Sequence, residues 1–433
     1  MSLLLDLAYI LFLTAVSPVL LWRSLRQGKY REGFAEKFLG AVPRTPQDAG
    51  RVIWLHAVSV GEVNLLKPIL PLLRETYPDR HFVVSSTSKT GRRLAEKLFP
   101  DLTVFYCPLD FSWAVRRALA RVRPELLVLA ELELWPNLIR LAAKRGVKTA
   151  IINGRISEKS FAQYRPIRFF LAPLLRKLNL VAASDQLAAD YFLRLGMPAE
   201  RLTVTGSIKF DGVQTDRRNP KTLELAHLAG IRLEEEKNTP ADIVFLAGST
   251  QEPEEAMALD AFRAWSGEFP ALKLILVPRH PERFDAVAKL LEQAGLPWIR
   301  RSELTEPAAP GRARILLVDT IGELGAWWGT AQIAFVGGSM GKRGGQNMLE
   351  PAAYGAAVSF GPNTKNFREI SDRMLRASAA QLVRSGEELT AFLGRALRQP
   401  AWRAGLGSAA VRLVLDQQGA CRKTADLLSG LLR

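Results

Sequence analysis

Two doubly wound α/β domains in series are the fold this sequence predicts. Three observations predict it. The chain has 433 residues, too long for one ordinary domain. Short apolar runs alternate with amphipathic helical stretches along most of its length. That alternation breaks once, near Asp211, at a polar tract. Composition is globular, with 48% hydrophobic and 24% charged residues. Short strands apolar on both faces and separated by helices read as a parallel sheet covered on both sides.

The N-terminus comes first in the chain. Residues 3–22, LLLDLAYILFLTAVSPVLLW, make a helix of about 30 Å, enough for a bilayer core. Asp6 is the one charge in it, and Pro18 kinks a helix without forbidding insertion. Arg23, Arg26, Lys29 and Arg31 follow, and nothing basic precedes, so the run is not a signal peptide. Positive charge after the run predicts that the remaining chain stays in the cytoplasm. The expectation is a transmembrane segment or membrane anchor over 1–22 and a basic connector over 23–50. A buried core helix or a helix lying flat in the interface remains the alternative.

From residue 51 to 211 the strand-like runs are VIWLHA, HFVVSST, LTVFYCP, ELLVLAE, KTAIING, LNLVAAS and RLTVTG. Helical stretches such as NLLKPILPLLRETY lie between them. This is the first domain. Residues 212–241 are polar and read as a linker with room for one helix. A second α/β run over 242–433 carries DIVFLAGST, LKLILVPRH, RILLVDT, IAFVGGSM and AVSFGP, and closes with two or three helices. Two such domains place ligand sites at the carboxyl ends of their strands, facing a shared cleft.

The net charge of +16 calls for an anionic partner: nucleic acid, an anionic membrane surface or phosphorylated substrates. Two cysteines, Cys107 and Cys421, exclude a disulfide scaffold, and the four histidines are scattered. No D-x-D pair supplies metal ligands, so no metal is expected. No GxGxxG opens the first strand and no GxxxxGK[ST] is present, which disfavours dinucleotide oxidoreductases and P-loop enzymes.

The candidate chemistry sits just after strands. In the turn after VIWLHA, Gly61 allows close approach of a ligand, and Glu62 is either a general base or an acid that favours the helix start. In ELLVLAELELWPN, Glu131 and Glu133 share a strand face if the strand runs that far, and Trp135–Pro136 open a helix. Glu131 is an acceptor-orienting carboxylate or again a helix-start acid. Lys209 in TGSIKFD can stabilise negative charge, a weak signal alone. The second domain has AGST, then Arg279 and His280, then Ile321, Gly322 and Glu323. GKRGGQNMLEP follows, with Gly344, Gly345, Gln346, Asn347 and Glu350. Glycines let backbone N–H groups face a phosphate, a helix start adds its positive end, and Glu350 can take a ribose hydroxyl pair. Four such turns in one domain point to a nucleotide site.

Taken together, HAVSVGEV, LAELELWPN, INGRIS, TGSIKFD, VPRHPERF, DTIGELGAWW and FVGGSMGKRGGQNMLEPAAYG resemble the 3-deoxy-D-manno-octulosonic acid (Kdo) transferase family of lipopolysaccharide biosynthesis, over essentially the whole length. The resemblance implies a GT-B-type architecture of two Rossmann-like domains and an inverting transfer of Kdo from CMP-Kdo to a lipid A precursor. The acceptor falls to the N-terminal domain and the donor to the C-terminal one. It implies Glu62 as general base and Glu131 and Lys209 as transition-state support. Arg279, His280, Ile321 to Glu323 and Gly344 to Asn347 would hold the nucleotide. No cofactor and no nucleic acid are implied, and the location is the cytoplasmic side of the bacterial inner membrane, against its anionic surface. Cations near Glu62 are expected to keep it charged. Two rivals remain: a GT-B membrane-surface enzyme with a UDP-sugar donor, and a non-catalytic basic membrane protein.

Overall fold

In the computed structural model, which describes residues 2–27, 32–46, 50–234, 241–309 and 313–432, the alternating runs become two seven-stranded sheets. The first contains β1 (Val52–His56), β2 (His81–Ser86), β3 (Thr103–Tyr106), β4 (Pro124–Ala130), β5 (Lys148–Gly154), β6 (Leu180–Ala183) and β7 (Leu202–Val204). Their order is β3-β2-β1-β4-β5-β6-β7, with each neighbouring pair parallel. The order reverses between β1 and β4, and His56 pairs with Leu129, so both strands end level at this switch point.

The second sheet contains β8 (Ile243–Thr250), β9 (Leu272–Pro278), β10 (Trp298–Arg300), β11 (Ile315–Leu317), β12 (Ile333–Val336), β13 (Ala357–Phe360) and β14 (Ala380–Leu382). It is parallel too, in the order β10-β11-β9-β8-β12-β13-β14, with its switch point between β8 and β12. β10 and β14 are absent from the sequence expectation. Each is a three-residue strand at a sheet edge, and a polar residue in each, Arg300 and Gln381, keeps it from reading as an apolar run.

Alternation along a strand divides the core. Ile53 and Leu55 pack with Val63, Leu66 and Leu70 of the helix Val60–Thr76. Val52 and Trp54 face the other way, onto Val115 and Leu119 of the helix Ser112–Val122. Each fully buried aliphatic side chain contributes about 2 kcal/mol.

The chain forms two units, Met1–Gly212 with Gln417–Arg433, and Val213–Asp416. The division differs from the sequence boundaries at the C-terminus. The last helix, Ala420–Gly430, was assigned to the second domain, but it joins the first unit. Cys421, Ala425 and Leu428 cover the face occupied by Leu66 and Leu70. Asp211 fixes its start, accepting from the N–H groups of Gly419 at 2.7 Å and Cys421 at 2.5 Å. The polar linker is more ordered than its composition suggests. Arg217 donates to the carbonyls of Tyr354, Gly329 and Ala331, and the helix Pro220–Leu228, capped by Asn219, belongs to the second unit. Positions 235–240 of that linker lie outside the described residues, as do Lys29 and Arg31.

Ser2–Gln27 is one helix, continuous through Pro18. The expected membrane span is not found: among the described residues no helix is long and apolar enough to cross a membrane. Its first turns are instead part of the first unit. Asp6, 4% exposed, accepts from Ser112 N (2.8 Å), Ser112 Oγ (2.6 Å) and Asn137 Nδ2 (3.2 Å). It thereby caps the helix Ser112–Val122, whose own N-cap position is Phe111 and offers no side-chain acceptor. Tyr9 Oη donates to Asp110 Oδ2 at 3.1 Å. Leu11 and Phe12 are 62% and 66% exposed.

Candidate active site

The sequence Ser59-Val60-Gly61-Glu62 is a capping box at the start of the helix that follows β1. Ser59 is the N-cap, and its Oγ accepts from Glu62 N at 3.3 Å. The Glu62 carboxylate returns the contact: Oε1 accepts from Ser59 Oγ at 2.9 Å, and Oε2 from Val58 N at 2.8 Å. The helix-start reading of Glu62 is realised in this geometry. It starts the helix, and the same bonds hold a carboxylate at the carboxyl end of β1.

Its electrostatics correct the sequence expectation. Cations were expected to keep Glu62 charged, yet it is 6% exposed and the charges that act on it are carboxylates. Burial pushes the Glu62 carboxyl up to about 7 and the nearby Glu133 and Glu131 add to that, against the Val58 N–H and Ser59 hydroxyl bonds. A base poised near neutrality is suited to taking a proton from a hydroxyl at physiological pH.

Glu131 does not continue the strand as expected. β4 stops at Ala130, and Glu131 takes φ 56°, a left-handed conformation unusual for a side-chain-bearing residue. Its N–H bonds Ile152 O at 2.9 Å, and its carboxylate accepts from Lys209 Nζ at 2.6 Å. Lys209 reaches it on the turn Ile208–Phe210, which Asn153 holds by accepting from Ile208 N at 2.9 Å. Asn153 is itself left-handed, φ 52°, at the end of β5. Glu133 is half-buried and raised by burial, against the Trp135 Nε1–H donated to it at 2.7 Å. Glu62, Glu131 and Lys209 therefore share one edge of the first sheet. Asn153, and Glu133 as a charge acting on Glu62, went unread as site residues. An asparagine ending an apolar run was the available signal for the former.

In the second unit the predicted turns fall at the ends of the strands. Arg279 is exposed after β9, its N–H bonded to Thr250 O at 3.0 Å, and His280 is half-buried. Ile321 is 79% exposed and Gly322 has φ 92°. Glu323, expected to face the ligand, is committed to the scaffold. It takes a bidentate pair from Arg301 (3.0 and 2.8 Å) and a bond from Thr320 Oγ1 (2.8 Å). Burial opposes its ionisation, but the Thr320 and Arg301 contacts prevail and hold it below its ordinary range.

Gly344 and Gly345 have φ 101° and 80°, and Gly345 N bonds Gly338 O at 2.7 Å. Gln346 is half-buried, and a Cβ at Gly338 would stand 3.3 Å from its Cγ. Asn347 Nδ2 donates to Glu350 Oε1 at 3.1 Å, and its Oδ1 accepts from Leu349 N at 3.2 Å. The helix there, Leu349–Ala353, spans five residues, so its expected positive end is small and already used by Asn347. With the Gly345 N–H bonded to Gly338 O, the Gly344 N–H is the backbone group this loop can turn toward an anion.

A family model described as 3-deoxy-D-manno-octulosonic-acid transferase matches residues 30–212. The chain is 33% identical over 413 residues to a 3-deoxy-D-manno-octulosonic acid transferase of Haemophilus influenzae, covering 94% of this chain and 93% of that one. It is 34% identical over 439 residues to the transferase of the same name from Bordetella pertussis, covering 98% and 99%. Among solved structures, UDP-GlcNAc 2-epimerase from Neisseria meningitidis superposes with a TM-score of 0.54 at 10% identity, covering 85% of this chain and 99% of that one. At that identity the likeness shows the two-domain α/β fold alone. With relatives matched nearly end to end at a third identity, this chain belongs to the 3-deoxy-D-manno-octulosonic acid transferase family.

Proposed function

We propose that this protein is a GT-B-type glycosyltransferase that moves Kdo from CMP-Kdo to a hydroxyl of a lipid A precursor, a tetraacyldisaccharide bisphosphate, in lipopolysaccharide biosynthesis. Family membership supports the sugar. The observation that carries the chemistry is the Glu62 carboxylate, fixed by two hydrogen bonds and raised to about 7 by burial.

Glu62 accepts the proton of the acceptor hydroxyl as that oxygen bonds to the anomeric carbon of Kdo. The bond from that carbon to the CMP phosphate oxygen breaks, and CMP leaves with the electron pair, inverting the centre. Lys209 neutralises Glu131, which limits the negative charge beside the base. The Gly344 N–H, on a loop tied down by the Gly345 N–H bond to Gly338 O, holds the departing monophosphate with Arg279, and one phosphate needs less neutralisation than a diphosphate. His280, the Ile321–Glu323 turn, Gln346, Asn347 and Glu350 complete the cytidine side. No metal is required in this scheme.

The protein works at the cytoplasmic face of the bacterial inner membrane. The exposed apolar side chains of the N-terminal helix, Leu11 and Phe12 among them, and the net charge of +16 support attachment to an anionic lipid surface. Thermal unfolding with CMP or UDP separates this reading from the UDP-sugar one. Protection by CMP and not by UDP is the expected result; the reverse would replace the donor. Glu62→Ala is expected to lose transfer and keep CMP protection.

A further inference from the structure

The backbone around Gly338 forms an anion-binding nest at the switch point of the second sheet, immediately after β12. Gly338 has φ 64°, and the N–H groups of Gly338, Ser339 and Met340 converge on one place. Such a concavity ordinarily receives a phosphate. Here it is filled by the protein's own Glu254. Oε2 accepts from Gly338 N at 2.7 Å and Gln251 N at 2.9 Å, and Oε1 accepts from Ser339 N and Met340 N, both at 2.9 Å. Glu254 is 1% exposed, at the first position of the helix Glu254–Ser266 that follows β8. Gly337 makes room for it: a Cβ there would lie 2.7 Å from Glu254 Oε2 and 2.6 Å from Thr250 Cα.

The nest connects directly to the donor loop. Gly345 N bonds Gly338 O, so the carbonyl of the residue whose N–H grips Glu254 sets the height of Gly345. A single buried carboxylate thus joins the end of β8, the loop after β12 and the Gly344–Asn347 segment. The neighbouring Glu255 extends the tie, pairing bidentately with Arg283 at 3.0 and 3.1 Å, just past Arg279 and His280.

We infer that Glu254 is a positioning residue for donor binding: by occupying the Gly338–Met340 nest it excludes the donor phosphate from that concavity and, through the Gly345 N–H bond to Gly338 O, fixes the loop that presents Gly344 to it. The inference rests on the donor reading above. Four N–H bonds to a charged acceptor are each stronger than neutral ones, so an amide in their place leaves donor facing donor.

The test uses the full chain, with CMP titration and steady-state kinetics on Glu254→Gln and Glu254→Ala. Glu254→Gln is expected to raise KM for CMP-Kdo and Kd for CMP by about tenfold or more, with a smaller change in kcat. In Glu254→Ala the emptied nest accepts a small carboxylate, so acetate or formate is expected to restore part of the CMP affinity, and to restore none in Glu254→Gln. CMP affinity within about twofold of wild type in both variants overturns the inference. So does an equal fall in kcat and affinity that no carboxylate rescues, which marks a general folding role. If neither variant folds, Glu254→Asp, whose shorter side chain cannot reach all four N–H groups, takes their place: a raised KM upholds the inference, and an unchanged one overturns it. Wild-type titration keeps the two failures apart. Wild-type protein that binds UDP in place of CMP, with the same dependence on Glu254, sinks the donor assignment and leaves the positioning role. Wild-type protein that binds no nucleotide sinks both.

Discussion

The raised carboxyl of Glu62 makes a two-sided prediction. The group goes from 4.5 to about 7 chiefly because burial disfavours its charged form. As general base it must be ionised, so kcat/KM is expected to reach a plateau above pH 7 and to fall about tenfold per unit below it. At pH 6 about one-tenth of the molecules carry the ionised base. The same shift enters stability with the opposite sense. A carboxyl raised on folding favours the folded state fully below pH 4.5, and that contribution is lost as pH rises through 7. The shift corresponds to about 3 kcal/mol for holding the charge at high pH. Glu62→Gln removes both. It is expected to lower kcat by roughly 10²–10⁴ and to be more stable than wild type at pH 8, with the advantage shrinking toward pH 4.5. The lost second acceptor bond to Ser59 or Val58 reduces the gain by about 1 kcal/mol. Initial rates between pH 5.5 and 9 and urea unfolding at two pH values read the two sides. A rate flat across neutrality, or Glu62→Gln turning over like wild type, would refute the reasoning.

Lys209→Ala exposes Glu62 to the unpaired charge of Glu131, so the acidic limb is expected to move to higher pH, read from the same rate profile. Asp6→Ala leaves the N–H and hydroxyl of Ser112 without their acceptor, while Asn137 Nδ2 keeps Asp110 O, and is expected to cost about 1–3 kcal/mol in chemical unfolding. Gly344→Ala places a Cβ 2.5 Å from Lys365 Cγ at φ 101°, and is expected to weaken CMP binding about tenfold or more by titration. Transfer is expected to persist in chelator without added divalent metal; complete loss restored by a metal would contradict a site built from backbone and arginine alone.

Much of this was legible in the sequence because the strands are apolar on both faces and their ends carry glycines and acids. The seven runs read between Val52 and Val204 are the seven strands of the first sheet, and the turn carrying Glu62 lies where the switch-point rule puts it. What sequence could not give is long-range pairing. β10 and β14 exist because β11 and β13 offer them an edge. The last helix belongs to the first unit because Leu66 and Leu70 need cover and Asp211 needs donors, and the helix that supplies both lies more than 200 residues further along the chain. Asp6 looked like a blemish in an apolar helix, and its meaning lay at Ser112 and Asn137. The electrostatics of Glu62 were missed for the same reason. Its neighbours Glu131 and Glu133 reach it through the fold, and Lys209 is spent on Glu131.

The most direct measurement is the mass of the acylated lipid A precursor after incubation with CMP-Kdo and the protein, run beside Glu62→Gln. A gain of one or more Kdo residues with wild type and none with the variant is the predicted result. An unchanged precursor with wild type, or equal product from both, would contradict transfer by a base at position 62.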